Sequence, residues 1–387
     1  MRGATWLAFP AALALGACCA AQEIKAENPA AIKAALASAG PGDTIVVKPG
    51  EYDLGGGAST GKDGTKDQPV TLRCEGDKGY AVLKVRGTVG FRIKNRFWVF
   101  RGIHFQSDKK STEDLVFMDG PGGCGDIHIV DCKISGAGEF GMKSARTREK
   151  AADNVIIEHT ELYDVMETGF DLVSGDNWAL RRCYVHDYGM GNRTHYGIFL
   201  KGGGKNGVIE GCIVDGSAGK GTLGISFGGG LTGKQWLPLV GGKVGPEHDG
   251  GICRNNIVIA AADASFHSNN GANCKFYNNL AWKGDTFQRQ AAYPKDPVLA
   301  NNLLGGGVKG ASENKDTVTP KKEWFADADG GDFRLSEAGK AALVGKGTAL
   351  PDNPADFFGT KRDPKQPVLG PVLPDAKEST KWADRRK

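Results

Sequence analysis

The chain has 387 residues, of which 58 are Gly and 17 are Pro. Together they make up a larger share of the chain than the roughly 12% that these two residue types usually contribute. The charged fraction of 24% and the hydrophobic fraction of 40% exclude a compositionally disordered chain. The Gly content argues against a mainly helical protein, since Gly destabilises helix interiors. A net charge of +4, without a basic block interleaved with aromatic residues, does not support a nucleic-acid partner.

The N-terminus has the pattern of an export signal. Arg2 precedes an apolar run from Trp6 to Leu15 that is too short to span a bilayer. Residues 1–21 are therefore predicted to be a signal peptide, and the mature protein to be secreted, periplasmic or held at the outer surface. The residues before Cys18 resemble a bacterial lipobox, so a lipid anchor at Cys18 and plain cleavage near Ala21 both remain open. No later segment has the length of apolar sequence that a membrane span requires.

A short helix is predicted next. Asn28 can cap its N-terminus, Pro29 suits its first position, and Ile32 and Leu36 share one face. Gly40 and the following Pro end the helix, and residues 43–47 are predicted to form a strand.

From about residue 70 the chain repeats a pattern of one apolar residue, two mostly polar residues and one small or amide residue. The repeats end at Ile103, Cys132, Thr160, Cys183, Cys212, Asn256, Asn279 and Asn302. Most spacings are 23–29 residues, which is typical of one coil of a parallel β-helix with short strands and Gly-rich turns. One spacing of 44 residues marks an insertion at about residues 231–248.

Equivalent residues of stacked coils should form ladders about 4.8 Å apart. The last residues of the repeats are predicted to form one ladder inside the β-helix. This ladder contains cysteines in the earlier coils and asparagines in the later ones. We interpret the cysteines as small core residues, with a Cys183–Cys212 disulfide left open as an alternative. The sequence contains no C-x-x-C pair, so a zinc site is not predicted.

A second strand in each coil shows inward and outward alternation. The predicted inner row is Met142, Phe170, Ile198 and Ile225, and the predicted outer row is Lys143, Asp171, Phe199 and Ser226. A further outer row is predicted to hold Ala145, Val173, Lys201, Gly228 and His267. Flat glycines at 202–204 and 228–230 would leave a groove beside Lys201.

Residues 34–52, 64–72 and 97–105 resemble the pectate-lyase-like superfamily, and the last two stretches are similar to its chondroitinase B and alginate lyase branch. The resemblance covers about residues 25–370. It implies an all-β fold, a single-stranded right-handed parallel β-helix with an N-terminal capping helix. We expect the β-helix over residues 25–310, a C-terminal segment over 311–372 that caps the last coil, a loose charged tail over 373–387, and a monomer.

Several reaction classes find little support. The G-x-G-x-x-G pattern recurs in this Gly-rich chain without opening a helix, so nucleotide binding is not predicted. The dipeptide D-D and the tripeptide G-H-G are both absent from the sequence, and no convincing pair of carboxylates for hydrolysis can be assembled. Elimination from a uronic-acid sugar needs a cation for the carboxylate, a base and an acid. Members of the superfamily often use Lys or Arg as the base and calcium or another cation as the neutraliser.

Four residues are predicted to be catalytic. Lys201 points out of its strand beside the expected groove and is the candidate base, which requires that its amine lose a proton. His195 or His186 would neutralise the carboxylate or donate the proton, because the turn that contains them leads into the Lys201 strand. Asp171 lies one coil earlier and would orient these histidines.

Four further residues are predicted to bind substrate: Arg193, Tyr188, Trp236 and His267. The alginate lyase branch places acidic calcium ligands in the strand before its Lys and an Arg one coil later. Tyr196 and Gly228 occupy those places here, so the resemblance suggests calcium without identifying its ligands.

The sequence thus predicts an exported lyase that cleaves an anionic polysaccharide by β-elimination. The alternatives that remain open are a non-catalytic cell-surface glycan-binding protein, a glycoside hydrolase and a uronate epimerase on the same fold.

Overall fold

A computed structural model describes residues 21–76, 79–191, 194–229, 232–284, 286–289, 297–311 and 313–382. The predicted signal peptide, with Cys18, and the predicted substrate residue Arg193 lie outside these residues. Within the described ranges, no helix has the length and apolar character that crossing a membrane requires.

Most coils contribute one strand to each of three parallel sheets, which we name A, B and C in the order in which a coil visits them. The described strands of sheet A are Glu23–Lys25, Thr44–Val47, Val70–Cys74, Arg96–Arg101, Gly125–Val130, Ile156–Glu158, Ala179–Arg181, Val208–Glu210, Ile252–Arg254, Lys275–Tyr277, Val298–Ala300 and Glu313–Lys315. Those of sheet B are Gly50–Gly55, Ala81–Val85, Ile103–Gln106, Lys133–Ala137, Glu161–Val165, Tyr184–Val185, Ile213–Asp215, Ile257–Ile259 and Leu280–Trp282. Those of sheet C are Ala58–Ser59, Val89–Ile93, Asp114–Asp119, Phe140–Ala145, Thr168–Val173, His195–Lys201, Thr222–Phe227, Ala264–Ser268, Phe287–Arg289 and Val308–Lys309.

Smaller elements lie between and after the coils. A short parallel sheet contains Gly204–Lys205, His248–Asp249 and Gly271–Ala272, and two hairpins pair Leu239–Val240 with Lys243–Val244 and Phe325–Asp327 with Asp332–Leu335. The helices are Pro29–Ser38, Glu337–Leu343 and the 3-10 turn Lys322–Trp324.

The predicted N-terminal helix is confirmed. The side-chain oxygen of Asn28 accepts a hydrogen bond from the Ala31 N–H at 2.9 Å, which satisfies one of the free donors of the first turn. Ile32, Ala35 and Leu36 form its buried face. The helix packs against the strands Thr44–Val47, Gly50–Gly55 and Ala58–Ser59, where it covers the beginning of the core.

In eight successive coils, one residue with positive φ forms the corner between sheets A and B. These residues are Gly102, Asp131, His159, Arg182, Gly211, Asn255, Asn278 and Asn301. Gly, Asn and Asp adopt this conformation with the least strain, because larger side chains crowd the backbone there.

The residue after each corner points into the core and forms the predicted ladder. The side-chain carbonyl of Asn279 accepts from the Asn256 N–H at 3.0 Å, and that of Asn302 accepts from the Asn279 N–H at 2.9 Å. The cysteines of the described residues are buried free thiols, so Cys183 and Cys212 form no disulfide and pack in the core.

The predicted rows of sheet C are present. Met142, Phe170, Ile198 and Ile225 are neighbours in register and fully buried. Lys143, Asp171, Phe199 and Ser226 are neighbours on the outer face. His267 pairs with Ser226 and not with the row of Lys201, so its predicted row was wrong. The cause is that the strand Ala264–Ser268 aligns with its neighbour two residues away from the assumed register.

The C-terminal segment lies along the side of the β-helix. An apolar row on the outer face of sheet B, formed by Ile213, Ile257, Leu280 and Leu303, packs against Phe325, Phe333, Leu343, Phe357 and Val368. This placement differs from the expected cap on the last coil, because the later coils expose an apolar face that must be covered. The described part of the tail is also packed, since Thr380 is 1% exposed and Trp382 lies against Tyr184.

Candidate active site

A buried ion pair lies on the outer face of sheet C. Lys201 ends one strand, and Asp171 lies in the neighbouring strand of the preceding coil. Lys201 Nζ and Asp171 Oδ1 are 2.9 Å apart, and the two side chains are 9% and 7% exposed. Because Val173 is in register with Lys201 and Asp171 with Phe199, the two charged residues stand one diagonal step apart. The structure therefore brings together the two residues that the alternation of the strands placed side by side.

An aromatic pair supports the Lys201 ammonium. Nζ lies 4.5 Å from the centre of the Phe199 ring, within the range of a cation–π interaction. Tyr196 stacks on Phe199 with the ring centres 3.8 Å apart. A Cβ at Gly229 would lie 2.0 Å from the Phe199 ring, so this position requires glycine. Burial raises the pKa of Tyr196 to about 12, so its phenol keeps its proton at neutral pH.

Glu247 adds a second carboxylate from the end of the insertion. It is 2% exposed, and its Oε2 accepts a hydrogen bond from the Gly202 N–H at 2.9 Å. Burial raises the pKa of Glu247, although this hydrogen bond and the nearby Lys201 charge act in the opposite direction. The repeat pattern could not identify this residue, because the path of an insertion does not follow from the coils around it.

A second Lys–Asp pair stands beside the first. Lys143 is in register with Asp171, and its Nζ lies 3.5 Å from Asp114 Oδ1 and 4.0 Å from the centre of the Phe140 ring. Burial raises the pKa of Asp114 to about 6, while the Lys143 charge lowers it less. The site thus carries alternating charges along the sheet. Asp114 was missed because it begins its strand, before the alternating pattern can be recognised.

The two predicted catalytic histidines lie elsewhere. His186 follows a strand of sheet B, where its Nδ1 is 2.7 Å from Asp187 and its Nε2 is 3.4 Å from Glu161. Burial lowers the pKa of His186, but these two carboxylates raise it by more. His195 begins the strand that Lys201 ends, and six residues at about 3.3 Å each separate them by roughly 20 Å. The turn therefore places neither imidazole beside Lys201. The prediction that His186 and His195 lie next to Lys201 is wrong.

Among the predicted substrate-binding residues, Tyr188 does not have the exposed position that contact with a substrate requires. Tyr188 is fully buried, and its hydroxyl donates to the Leu223 carbonyl at 3.0 Å, so a substrate cannot reach it. His267 lies with its Nδ1 2.8 Å from Ser226 Oγ in the outer row that contains Phe199. Trp236 is 46% exposed on the insertion and stays a prediction.

The calcium site suggested by the resemblance does not fit the residues present. In the described part of the chain, no three His, Cys, Asp or Glu side chains converge as metal ligands would. Asp171 is instead engaged by an ammonium group. The chemistry of the site is therefore derived from its side chains alone.

Comparison with known proteins agrees with the architecture. A family model described as a right handed beta helix region matches residues 115–302. No curated protein sequence matches the chain. Among solved structures, pectate lyase Pel9A has a TM-score of 0.63 and 15% identity, over 91% of this chain and 96% of that one. The GH136 lacto-N-biosidase from Eubacterium ramulus has a TM-score of 0.50 and 10% identity, over 78% of this chain and 65% of that one.

At such low identity these likenesses show the fold. The chain has the right-handed parallel β-helix fold. The fold and the resemblance predicted from the sequence are confirmed.

Proposed function

We propose that this protein acts on an acidic polysaccharide, and that it cleaves the chain by β-elimination at the outer face of sheet C. The observation that carries the proposal is the buried Lys201–Asp171 pair on that face, beside a second lysine. A carbohydrate ligand is consistent with the similarity of the fold to those of a pectate lyase and a lacto-N-biosidase.

The reaction would begin at the carbon next to a uronate carboxylate. The Lys201 amine removes the proton from that carbon, the electron pair forms a carbon–carbon double bond, and the glycosidic oxygen leaves with a proton from an acid. This step requires the Lys201 amine in its neutral form, and Asp171, 2.9 Å from Nζ, positions it at the outer face of sheet C.

The remaining roles differ from those expected of the histidines. Lys143 neighbours Asp171 and can pair with the substrate carboxylate, whose charge spreads as the proton leaves. Asp114 is the candidate acid, because burial raises its pKa to about 6 and the carboxyl group can then hold a proton near neutrality. An epimerase would share the first step and return a proton to the opposite face of the sugar ring.

A non-catalytic glycan-binding protein is the second candidate. The observation in its favour is the low exposure of Lys201 and Asp171, which suits a structural ion pair. Such a protein would bind the polymer without changing it.

A panel of uronic-acid polymers tests the proposal. Each polymer is incubated with the protein in heavy water, and the product is examined for ultraviolet absorbance of the unsaturated sugar and for deuterium at the carbon beside the carboxylate. Unsaturated product supports the lyase. Deuterium without chain cleavage indicates an epimerase, and neither signal on a polymer that binds indicates the non-catalytic protein.

A further inference from the structure

A cleft of about 260 Å³ lies between the outer face of sheet A and residues 355–359 of the C-terminal segment. It is formed by a different sheet from the one that carries Lys201. The charged residues of its lining are Glu158, Arg181, Arg182, Glu210, Arg254 and Asp356. The cleft exists because the C-terminal segment packs on the side of the β-helix.

One carboxylate in this cleft is shared by two guanidinium groups. Glu210 Oε1 accepts from Arg181 Nε at 2.8 Å, and Glu210 Oε2 accepts from Arg254 Nε at 2.7 Å. Across the whole lining, three arginines face three carboxylates, so the charges of the cleft balance.

Arg182 adds a guanidinium group that makes no hydrogen bond or ion pair with the residues described. Gly359 leaves room for it, since a Cβ there would lie 2.7 Å from Arg182 Nη2. Arg182 has a φ of 50° at a corner where most other coils use Gly, Asp or Asn. A large side chain in this strained position points to a role for the side chain.

We propose that this cleft binds the carboxylate of one uronic-acid residue of an acidic saccharide. The planar fork of Arg182 matches a carboxylate, so Arg182 is the group that would recognise it. The volume is slightly below the usual range of ligand pockets, which suits a single sugar ring.

The acidic residues of the lining distinguish a sugar from a simple anion. Glu158, which lies 3.1 Å from His128, and Glu210 can accept hydrogen bonds from sugar hydroxyl groups. The same carboxylates repel a doubly charged phosphate. This inference shares the acidic saccharide with the proposed function, but it requires no reaction at Lys201.

Calorimetric titration of the full chain tests the site. The probes are D-galacturonate, D-glucuronate, D-mannuronate and L-guluronate, with their neutral parent sugars and inorganic phosphate for comparison. We expect at least one uronate to bind while its parent sugar does not. The variant Arg182→Asn should weaken that binding by about tenfold or more, because it removes a charged hydrogen-bond donor.

The variant is chosen so that it folds, since Asn occupies the equivalent corner at Asn255, Asn278 and Asn301. Arg101→Gln is the matched control, because Arg101 lies on the same sheet, is half exposed and pairs with Asp131. It should leave the affinity unchanged.

The proposal would be overturned by no binding of any uronate, by tighter binding of phosphate than of every uronate, or by equal affinity in wild type and Arg182→Asn. Weakening by Lys201→Met alone would assign the uronate to sheet C and would also overturn it. A protein that binds uronate at Arg182 but releases no unsaturated product would refute the lyase and leave this site intact.

Discussion

At the scale of single residues, the site is defined by charges that the fold withdraws from water. Lys201 and Asp171 compensate each other in a place where either charge alone would be costly. Their pairing could be predicted because side chains alternate strictly along a strand and coils stack in register. The positions of His186 and His195 could not, because each depends on the path of a turn that has no such period.

Removal of one partner should destabilise the fold. Asp171→Asn leaves the Lys201 ammonium buried without its countercharge, and we expect a loss of about 3–5 kcal/mol in the free energy of unfolding. The double variant Asp171→Leu with Lys201→Met should recover most of this loss, since it removes both charges. Urea denaturation measures both values, and a single variant as stable as wild type would contradict the burial of the pair.

Asp114 should make stability depend on pH. Its pKa is raised from 3.8 to about 6 in the folded state, so the folded protein binds the proton more tightly than the unfolded chain does. The carboxyl group therefore disfavours folding as pH rises through this interval, by at most about 3 kcal/mol above pH 6.

The comparison of wild type with Asp114→Asn isolates this effect. The stability of the variant relative to wild type should increase between pH 4 and pH 7, as measured by thermal or urea unfolding at each pH. A difference that stays constant over this interval would show that Asp114 titrates as an exposed carboxyl group does.

At the scale of strands and turns, close stacking of coils accounts for many of the glycines. The repeat ends predicted the corner and the ladder of Asn256, Asn279 and Asn302, because each coil presents the same hydrogen-bonding position to the next. The register between neighbouring strands of sheet C was harder to predict. His267 shifted by one outer row, because the insertion between its strand and the preceding one removes the constant spacing on which the alignment depended.

Gly197 tests the close approach of neighbouring coils. A Cβ there would lie 2.4 Å from Val214 Cγ1 and 2.9 Å from the Gly224 carbonyl, so Gly197→Ala should lower the free energy of unfolding by about 1–3 kcal/mol. Gly40→Ala is the control, because no atom lies within 4 Å of its Cβ position. Equal stability of the two variants in urea denaturation would contradict the packing.

At the scale of the whole molecule, the C-terminal segment completes the fold from the side. Its position was not predictable from the repeats, because the apolar residues of sheet B that it covers belong to coils distant in sequence. Phe333 illustrates the contact, since it is 1% exposed and packs against Phe325 and Trp282.

Phe333→Ala should destabilise the protein by about 3–5 kcal/mol and should make the segment the first site of limited proteolysis. Leu239→Ala, at a residue that is 48% exposed on the insertion, should change stability by less than about 0.5 kcal/mol. Unchanged stability and unchanged proteolysis of Phe333→Ala would contradict the conclusion that packing of the C-terminal segment against sheet B stabilises the fold.

The rate of unsaturated-product formation in Lys201→Met tests the central proposal most directly. Wild type, Lys201→Met and Lys309→Met are compared on the polymer of the panel that binds most tightly, after circular dichroism has verified that each is folded. Lys309 lies on the same sheet in a later coil and serves as the matched lysine. The account predicts that Lys201→Met loses about a hundredfold or more in rate, while Lys309→Met matches wild type. A folded Lys201→Met variant that forms product at the wild-type rate, or a wild type that forms none, would contradict it.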